Sequence, residues 1–305
     1  MRKYQSISLI VLLGVICLPL VSFAEDTLDA HGLFRKGNDL FVQGNYQAAI
    51  TTYKEALTQD PNFKEAWYNL GAVYGQMSQF DEEKQAYAKA LELDPTYARA
   101  HYNLALALED EGKSEEAIEK YLLALKYEPE ALDAMVNLGI LLCQIERCDE
   151  ATGKYEQAIA IAPGVADIYY NLGIAKGKLA AKSMDEAGKN ELLKAEMLNY
   201  KKALELRPSF FKAWYNLALS YHKQGMLKEE IESYESALAL RNRYPEAIYN
   251  LAYAYEENGQ LDAALEKWER YIVVAGSFDT EIQYIEIAQK EIERIKNKIN
   301  QADQP

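Results

Sequence analysis

The chain has 305 residues and a formal net charge of −14 at pH 7, and both values limit what it can be. Hydrophobic residues make up 49% of the chain and charged residues 26%, so it can bury a core and is not a disordered composition. An acidic surface repels nucleic-acid phosphates and anionic lipid headgroups, and we therefore expect no nucleic-acid partner. Basic proteins, cations and neutral peptides are the partners that this charge favours.

The first 24 residues have the pattern of a secretory signal peptide. Arg2 and Lys3 give a basic start, residues 7–21 are apolar, and residues 22–24 (Ser-Phe-Ala) offer small side chains where a signal peptidase cleaves. Cleavage after Ala24 would export the chain to the periplasm or the exterior, with a formal charge of −16 and no integral membrane segment. An uncleaved N-terminal anchor is the alternative.

Two cysteines, Cys143 and Cys148, remain after this cleavage, in the sequence CQIERC. An even number of cysteines in an exported protein permits a disulfide, and this pair should flank the turn between two antiparallel helices. The alternative is a pair of reduced, half-buried thiols. Two cysteines are too few ligands for a structural metal site, and common redox motifs have two residues between their cysteines rather than four.

After a short lead-in at 25–29, the sequence repeats with a period of 34 residues. The rows are 30–63, 64–97, 98–131, 132–165, a longer row at 166–210, then 211–244 and 245–278, with a tail at 279–305. The row 64–97 is the clearest, and its marker residues recur at the same places in most other rows. They are Trp67, Leu70, Gly71, Tyr74, Tyr87, Ala90 and Pro95.

This pattern resembles the tetratricopeptide repeat (TPR) family, whose unit is a helix–turn–helix hairpin. The resemblance implies an all-α fold, a right-handed superhelix (α-solenoid) of seven hairpins in which each hairpin must stack on its neighbours. Small side chains at Gly71 and Ala90 would let the paired helices approach closely. In the tail, an apolar face with charges opposite predicts a final amphipathic helix that caps the array, or alternatively a partner-binding helix. This face consists of Ile282, Ile285, Ala288, Ile292, Ile295 and Ile299.

The row 166–210 is longer than the others by 11 residues, about three helical turns. The extra residues lie around 178–189, between the two helices of that row. We expect both helices to lengthen, so that the tip of this hairpin protrudes. Ser183 and Glu186 have the spacing of a capping box at the start of the second helix.

The resemblance also implies that the first helix of each hairpin lines a concave groove. Asparagines recur there beside tyrosines, and an amide can both donate to and accept from the backbone of an extended peptide. We call this line of asparagines beside tyrosines the Asn–Tyr ladder. A similar line of asparagines occurs in the TPR domain of O-GlcNAc transferase, although such asparagines also form hydrogen bonds within the scaffold. The candidate peptide-binding residues are Tyr68, Asn69, Tyr102, Asn103, Leu106, Asn137, Ile140, Tyr170, Asn171, Ile174, Tyr215, Asn216, Tyr249, Asn250 and Tyr253.

The sequence offers little to support catalysis. The three histidines are far apart in the sequence, at His31, His101 and His222. No Ser or Cys lies in a motif that would activate it as a nucleophile. We expect no enzyme activity, no cofactor and no metal. His101 stands in the Trp67 column, which favours a packed core residue over a ligand.

We therefore predict a non-catalytic scaffold that binds a peptide or partner segment in the groove. The alternative is a structural subunit of a cell-envelope complex for outer-membrane assembly, polymer export or division, docking through the convex face or the long hairpin. Capture of a chaperone's C-terminal carboxylate is disfavoured, because Phe34 and Asn103 stand where that clamp has lysine and arginine. The pattern indicates neither the partner's identity nor the oligomeric state.

Overall fold

The computed structural model describes residues 28–302, and this part of the chain consists of fifteen α-helices and one 3₁₀ turn, with no strand. The predicted signal peptide, most of the lead-in and the last three residues lie outside the described residues. The helices are α1 Ala30–Val42, α2 Tyr46–Gln59, α3 Lys64–Gln76, α4 Phe80–Leu93, α5 Ala98–Asp110, α6 Ser114–Tyr127, α7 Leu132–Gln144, α8 Cys148–Ile161, α9 Ala166–Lys182, α10 Glu186–Leu206, α11 Phe211–Lys223, α12 Leu227–Leu240, α13 Pro245–Glu257, α14 Leu261–Ala275 and α15 Ile285–Ala302.

The first fourteen helices form seven antiparallel hairpins, and each hairpin packs on the next. Each odd-numbered helix from α1 to α13 begins at the first residue of a sequence row, and every hairpin turn has three residues. Direct contacts of α1 with α3, α3 with α5, and α7 with α9 place the first helices of the hairpins side by side. The prediction of an all-α TPR solenoid with seven hairpins and a capping helix is confirmed.

A tyrosine ring packed on a glycine joins the two helices of most hairpins. In the second hairpin, a Cβ added to Gly71 would lie 2.7 Å from a ring carbon of Tyr87, closer than side chains normally approach. Tyr87 is only 2% exposed, so its ring fills the space that the glycine leaves. The same contact recurs between Gly37 and Tyr53 and between Gly173 and Tyr200.

Six of the seven hairpin turns, all except that of the long hairpin, have one residue in the left-handed backbone region, which favours glycine. Gly44, Gly112, Gly225 and Gly259 supply it, with φ between 67° and 76°. Ser78 (φ 58°) and Glu146 (φ 67°) occupy the corresponding positions in the second and fourth hairpins. At the other end of the second, third and sixth hairpins, a ring nitrogen bonds the first helix to the preceding turn, as in the bond from Trp67 Nε1 to the Pro61 carbonyl (2.9 Å).

His101 performs this tying role in the third hairpin. Its Nε2 lies 2.9 Å from the Pro95 carbonyl oxygen, and its ring stacks on Tyr127 with 5.7 Å between centroids. The side chain is 6% exposed, so it is the packed core residue that its column predicts.

The long hairpin takes up its extra residues entirely as helix. Helix α9 has 17 residues and α10 has 21, whereas α3 and α4 have 13 and 14. The predicted capping box is wrong: Asp185, not Ser183, is the N-cap of α10, and its carboxylate accepts from the backbone N–H groups of Ala187 and Gly188. Ser183 instead ends α9 and donates to the Asp185 carbonyl (3.1 Å). A carboxylate is the stronger cap because it also interacts favourably with the helix dipole.

Helix α15 covers the apolar side of the last hairpin, against α14. Ala288 and Ile295 are fully buried there, and Ile285, Ile292 and Ile299 pack around them. Ile282 departs from the prediction, since it lies in the 3₁₀ turn Ile282–Tyr284 and is 52% exposed. The tighter 3₁₀ geometry rotates it off the face that the following α-helix presents. Among the described helices, none is both long and apolar enough to cross a bilayer.

Substitution of Ile295 by Ala should destabilise the C-terminal end of the array by about 2–4 kcal/mol, because it leaves a cavity beneath the capping helix. Urea unfolding monitored by circular dichroism would measure the loss. Ile287→Ala in the same helix is the matched control: Ile287 is 37% exposed, and its truncation should change stability by less than about 0.5 kcal/mol. Equal losses in both variants would contradict a capping role for α15.

Candidate functional site

The fifteen predicted groove residues lie on the first helices of hairpins two to seven, namely α3, α5, α7, α9, α11 and α13. Fourteen of them are half-buried, and Tyr253 is 38% exposed. They therefore form a continuous surface along the inner side of the solenoid. Their hydrogen bonds, however, divide them into two kinds of residue.

Most of the asparagine amides bond to the tyrosine of the preceding hairpin. Asn103 Nδ2 donates to the Tyr68 hydroxyl (2.9 Å), and Asn137 Nδ2 donates to the Tyr102 hydroxyl (2.9 Å). The same bond links Asn216 to Tyr170 and Asn250 to Tyr215, each at 3.2 Å. At the N-terminal end, Asn69 Nδ2 donates to Asn38 Oδ1 (2.7 Å). These bonds run from hairpin to hairpin, so the Asn–Tyr ladder serves the scaffold at these positions.

The ladder is interrupted at Asn171. The residue that should receive its amide is Val136, which stands where other rows have tyrosine and has no hydroxyl. Within residues 28–302, the Asn171 side chain makes no hydrogen bond. The side chain is half-buried on α9, and its amide donor and acceptor are not used by the described part of the scaffold. Here the sequence placed a ladder residue correctly but could not show that it stands apart from the others.

A second column of rings supports the groove tyrosines, and the sequence analysis missed it. In four rows, the ring of the last residue packs against the groove ring of its own row. Tyr68 lies 5.2 Å from Tyr97, and Tyr170 lies 4.7 Å from Phe210, between ring centroids. This last column is aromatic in five of the seven rows, which was the signal available in the sequence. It holds Phe63, Tyr97, Ala131, Val165, Phe210, Tyr244 and Phe278.

The two exceptions in that column, Ala131 and Val165, lie in the middle of the array. Beside Ala131, a hollow of about 480 Å³ opens next to Tyr102. In the same region, Val136 stands where five other rows have a tyrosine ring. Small side chains thus widen the groove across hairpins three to five, where half-buried Ile140 and Ile174 add apolar surface.

Three of the groove tyrosines, Tyr102, Tyr170 and Tyr215, stay neutral at physiological pH because their pKa values are raised. Burial raises the pKa of Tyr102, Tyr170 and Tyr215, and the hydrogen bond from the following asparagine only partly offsets it. A phenol that stays protonated can donate as well as accept. Together with the ring, it gives an apolar surface with a polar tip, which suits a protein partner.

Buried carboxylates form an acidic edge near the hairpin turns. Glu83, Glu196 and Glu230 replace an alanine found at this place in the other rows, and this departure was a signal that the sequence analysis missed. Glu196 is 3% exposed and pairs with Lys223 (3.0 Å), while Glu230 is 4% exposed and lies 3.1 Å from His222 Nδ1. Burial raises the pKa of Glu83, and the nearby Asp110 carboxylate raises it further.

The two cysteines lie at the α7–α8 turn, with their sulfur atoms at bonding distance and their Cα atoms 4.3 Å apart. Cys143 is 6% exposed and Cys148 2%. Two lysines in the extended part of α9 bind this turn. Lys178 Nζ donates to the Cys143 carbonyl (2.9 Å), and Lys182 forms an ion pair with Glu146 (2.8 Å). Lysines placed at the end of a helix satisfy its last carbonyls and its dipole.

Among residues 28–302, no group of three or more His, Cys, Asp or Glu side chains is arranged to hold a metal ion. The residues of the rejected chaperone clamp are also engaged elsewhere. Asn38 Oδ1 accepts both from Asn69 and from the Tyr53 hydroxyl (2.6 Å), which leaves that pair committed to the scaffold.

Sequence models of the tetratricopeptide repeat make five matches to the chain, some of which overlap. A model described as "TPR repeat" covers residues 37–78 and 197–225, and two described as "Tetratricopeptide repeat" cover 86–119 with 233–266 and 65–97. Two probable UDP-N-acetylglucosamine–peptide N-acetylglucosaminyltransferases named SPINDLY, from Oryza sativa subsp. japonica and Hordeum vulgare, are each 47% identical over 45 residues. That stretch is 15% of this chain and 5% of each transferase, so it does not show catalysis.

Solved structures show the same architecture over most of the chain. The C-terminal part of a TPR repeat-containing protein from Cytophaga hutchinsonii covers 82% of this chain and is itself covered to 98%, with a TM-score of 0.65 and 17% identity. MamA covers 60% of the chain and is covered to 94%, at a TM-score of 0.51 and 27% identity. YrrB, described as a TPR protein with an unusual peptide-binding site, covers 65% and is covered to 96%, at 0.55 and 19%. The chain thus contains tetratricopeptide repeats and has the fold of a TPR superhelix.

Proposed function

We propose that this protein is a non-catalytic interaction scaffold that binds an extended segment of a partner protein in the central part of its groove, across hairpins three to five. The interruption of the Asn–Tyr ladder at Val136 and Asn171 carries the proposal. TPR arrays are protein-interaction modules, and that is the class in which the repeats place the chain. The likeness to YrrB is one of fold, so the groove's own side chains supply the argument.

Three features of the central groove suit it to bind a partner peptide rather than to contact the side chains of a neighbouring hairpin. The Asn171 amide offers one donor and one acceptor that the scaffold does not use, and an extended backbone can satisfy both. Ile140 and Ile174 flank it with apolar surface that a partner's side chains would cover. The small residues Ala131, Val136 and Val165 leave room for that backbone to approach.

The substitution Val136→Tyr tests this proposal by closing the gap. It restores the residue found at this place in five other rows and gives Asn171 a hydroxyl to bond. We expect unchanged or slightly raised stability, with binding weakened about ten-fold or more because the groove is filled. Random linear peptides would be selected on the wild-type chain, and their affinities for both variants measured by fluorescence anisotropy.

Asn171→Ala and Asn137→Ala form the matched pair for this experiment. Asn171→Ala should weaken the selected peptides without loss of stability, whereas Asn137→Ala should cost about 1 kcal/mol of stability because it breaks the bond to Tyr102. If no peptide is selected, or if Val136→Tyr binds the selected peptides as tightly as the wild type, the central groove is not the site.

An assembly role through the outer surface is a second candidate function, because two apolar side chains are exposed in the long hairpin. Met184 at its tip is fully exposed, and Leu198 is 62% exposed on the outer side of α10. The other rows have Thr, Gln, Glu or Gly at the place of Leu198. Exposed apolar residues of this kind mark docking surfaces when they are grouped on one element.

Substituting Ser for both Met184 and Leu198 should leave thermal stability within a few degrees of the wild type, because neither side chain is buried. If this surface docks a larger assembly, the variant should migrate at lower mass when cell-envelope extracts are separated by native electrophoresis. Leu122→Ser, at a 47% exposed leucine of α6, is the control. Unchanged migration of the double variant would remove this candidate.

We further propose that the chain acts after export and that Cys143 and Cys148 are bridged there. A chain produced in a Gram-negative host with its own N-terminus should then begin at Glu25 and show no reactive thiol when denatured without a reductant, because oxidising compartments maintain disulfides. Edman sequencing and thiol titration measure the two properties separately. An intact Met1 would contradict cleavage, and two reactive thiols in the processed chain would contradict the bridge.

A further inference from the structure

The groove ends in an aromatic cavity of about 290 Å³ where the last hairpin meets the capping segment. Its walls include the rings of Tyr215 and Tyr249 from the groove and of Tyr284 from the 3₁₀ turn. The centroids of Tyr249 and Tyr284 lie 6.1 Å apart, with their planes inclined at 62°. A cavity of this volume is at the lower limit of small-ligand pockets, which suits a single side chain.

The charged side chains that line this cavity are all acidic. Glu246 and Glu281 line it, and none of its described lining residues is Lys, Arg or His. Within the described part of the chain, Glu246 forms no ion pair and Glu281 accepts one hydrogen bond, from the Tyr271 hydroxyl (2.9 Å). Both carboxylates act on the same ring, because burial first and then the charges of Glu246 and Glu281 raise the pKa of Tyr215.

Aromatic faces and carboxylates both attract cations. The negative face of a phenol ring binds an ammonium or guanidinium group, and neighbouring carboxylates strengthen that attraction. The chain already uses this contact next to the cavity: the Arg241 guanidinium lies 5.0 Å from the Phe211 ring centroid and 5.4 Å from that of Tyr244. Tyr244 in turn packs 4.9 Å from Tyr215, on the wall of the cavity.

We propose that this cavity binds a cationic side chain, lysine or arginine, of the partner segment that lies in the groove. The proposal rests on the groove function above and adds a chemical requirement to it, namely a positive charge near one end of the bound segment. The net charge of −14 fits such a partner. The cavity continues the surface of Tyr215 and Asn250, so a chain lying in the groove would reach it.

Other occupants fit the cavity less well. An anion would meet two carboxylates at close range. A wholly apolar group would displace water from those carboxylates without replacing its hydrogen bonds, which is costly. A metal ion would prefer several oxygen ligands converging on one point, and the described residues form no such group.

Small cations test the cavity without any peptide. n-Butylammonium and n-butylguanidinium imitate the ends of lysine and arginine side chains, and n-butanol is the neutral match. With ring-¹³C-labelled tyrosine, each cation should shift the NMR signals of Tyr249 and Tyr284 saturably, in the millimolar range expected for one weak contact. Butanol should leave these signals in place at the same concentrations.

Two variants assign the effect to the proposed groups. Tyr284→Leu removes an exposed wall, and Glu246→Gln combined with Glu281→Gln removes the charge while keeping an acceptor for the Tyr271 hydroxyl. Each of these variants should bind the two cations about ten-fold more weakly than the wild type does. Glu266→Gln on the outer side of α14 is the control and should bind as the wild type does.

The outcomes separate this proposal from the groove function. Equal shifts with butanol, no saturable shift with either cation, or full binding by the double Gln variant would each overturn the cavity as a cation site. If neither cation binds the cavity but peptides still bind through Asn171, the groove function is retained and the cation site is rejected. If the cations bind and no peptide can be selected, the cavity stands and the groove function fails. A stronger response to one of the two cations would show which side chain the cavity prefers.

Discussion

The contact between a tyrosine ring and a glycine holds four of the seven hairpins together. Where Tyr87 packs on Gly71, two helix backbones approach as closely as a ring allows, and the ring is fully removed from water. The rest of the structure depends on that spacing. It fixes the angle at which the first helix presents its other faces, one towards the next hairpin and one towards the groove. The stacking of hairpins, the line of asparagines and the shape of the groove all follow from it.

Hydrogen bonds between hairpins then decide how much of the groove remains available to a partner. An asparagine that donates to the preceding tyrosine contributes to the scaffold, and the bond also holds that ring in place. Asn103 and Asn137 are of this kind. Asn171 has the same position and residue type, but the hydroxyl that it would bond is missing. Whether a groove asparagine is available to a partner therefore depends on the residue that stands opposite it in the preceding row.

The fold could be predicted from the sequence because a repeated signal is reinforced seven times. The residues at the Leu70, Tyr87 and Pro95 places recur in most rows and specify helix, packing and turn together. The site could be predicted only as a surface, since residue type gives the face of a helix but not the partner of a side chain. Asn171 and Asn137 are alike in sequence, and only the hydrogen bonds distinguish them. The Asp185 cap and the exposed Ile282 were missed for a related reason, because both depend on where one turn of helix starts.

The Val136 position has a consequence for how such an array gains a binding site. In a row such as 64–97, the tyrosine accepts a hydrogen bond from the asparagine of the next row and packs on the last aromatic residue of its own row. Under the proposed function, the central groove would recognise its partner where a row has lost a ring. Lengthening the array by duplicating the row 64–97 would extend the solenoid and create no new place to bind. A single change from tyrosine to a smaller residue within a duplicated row would open one.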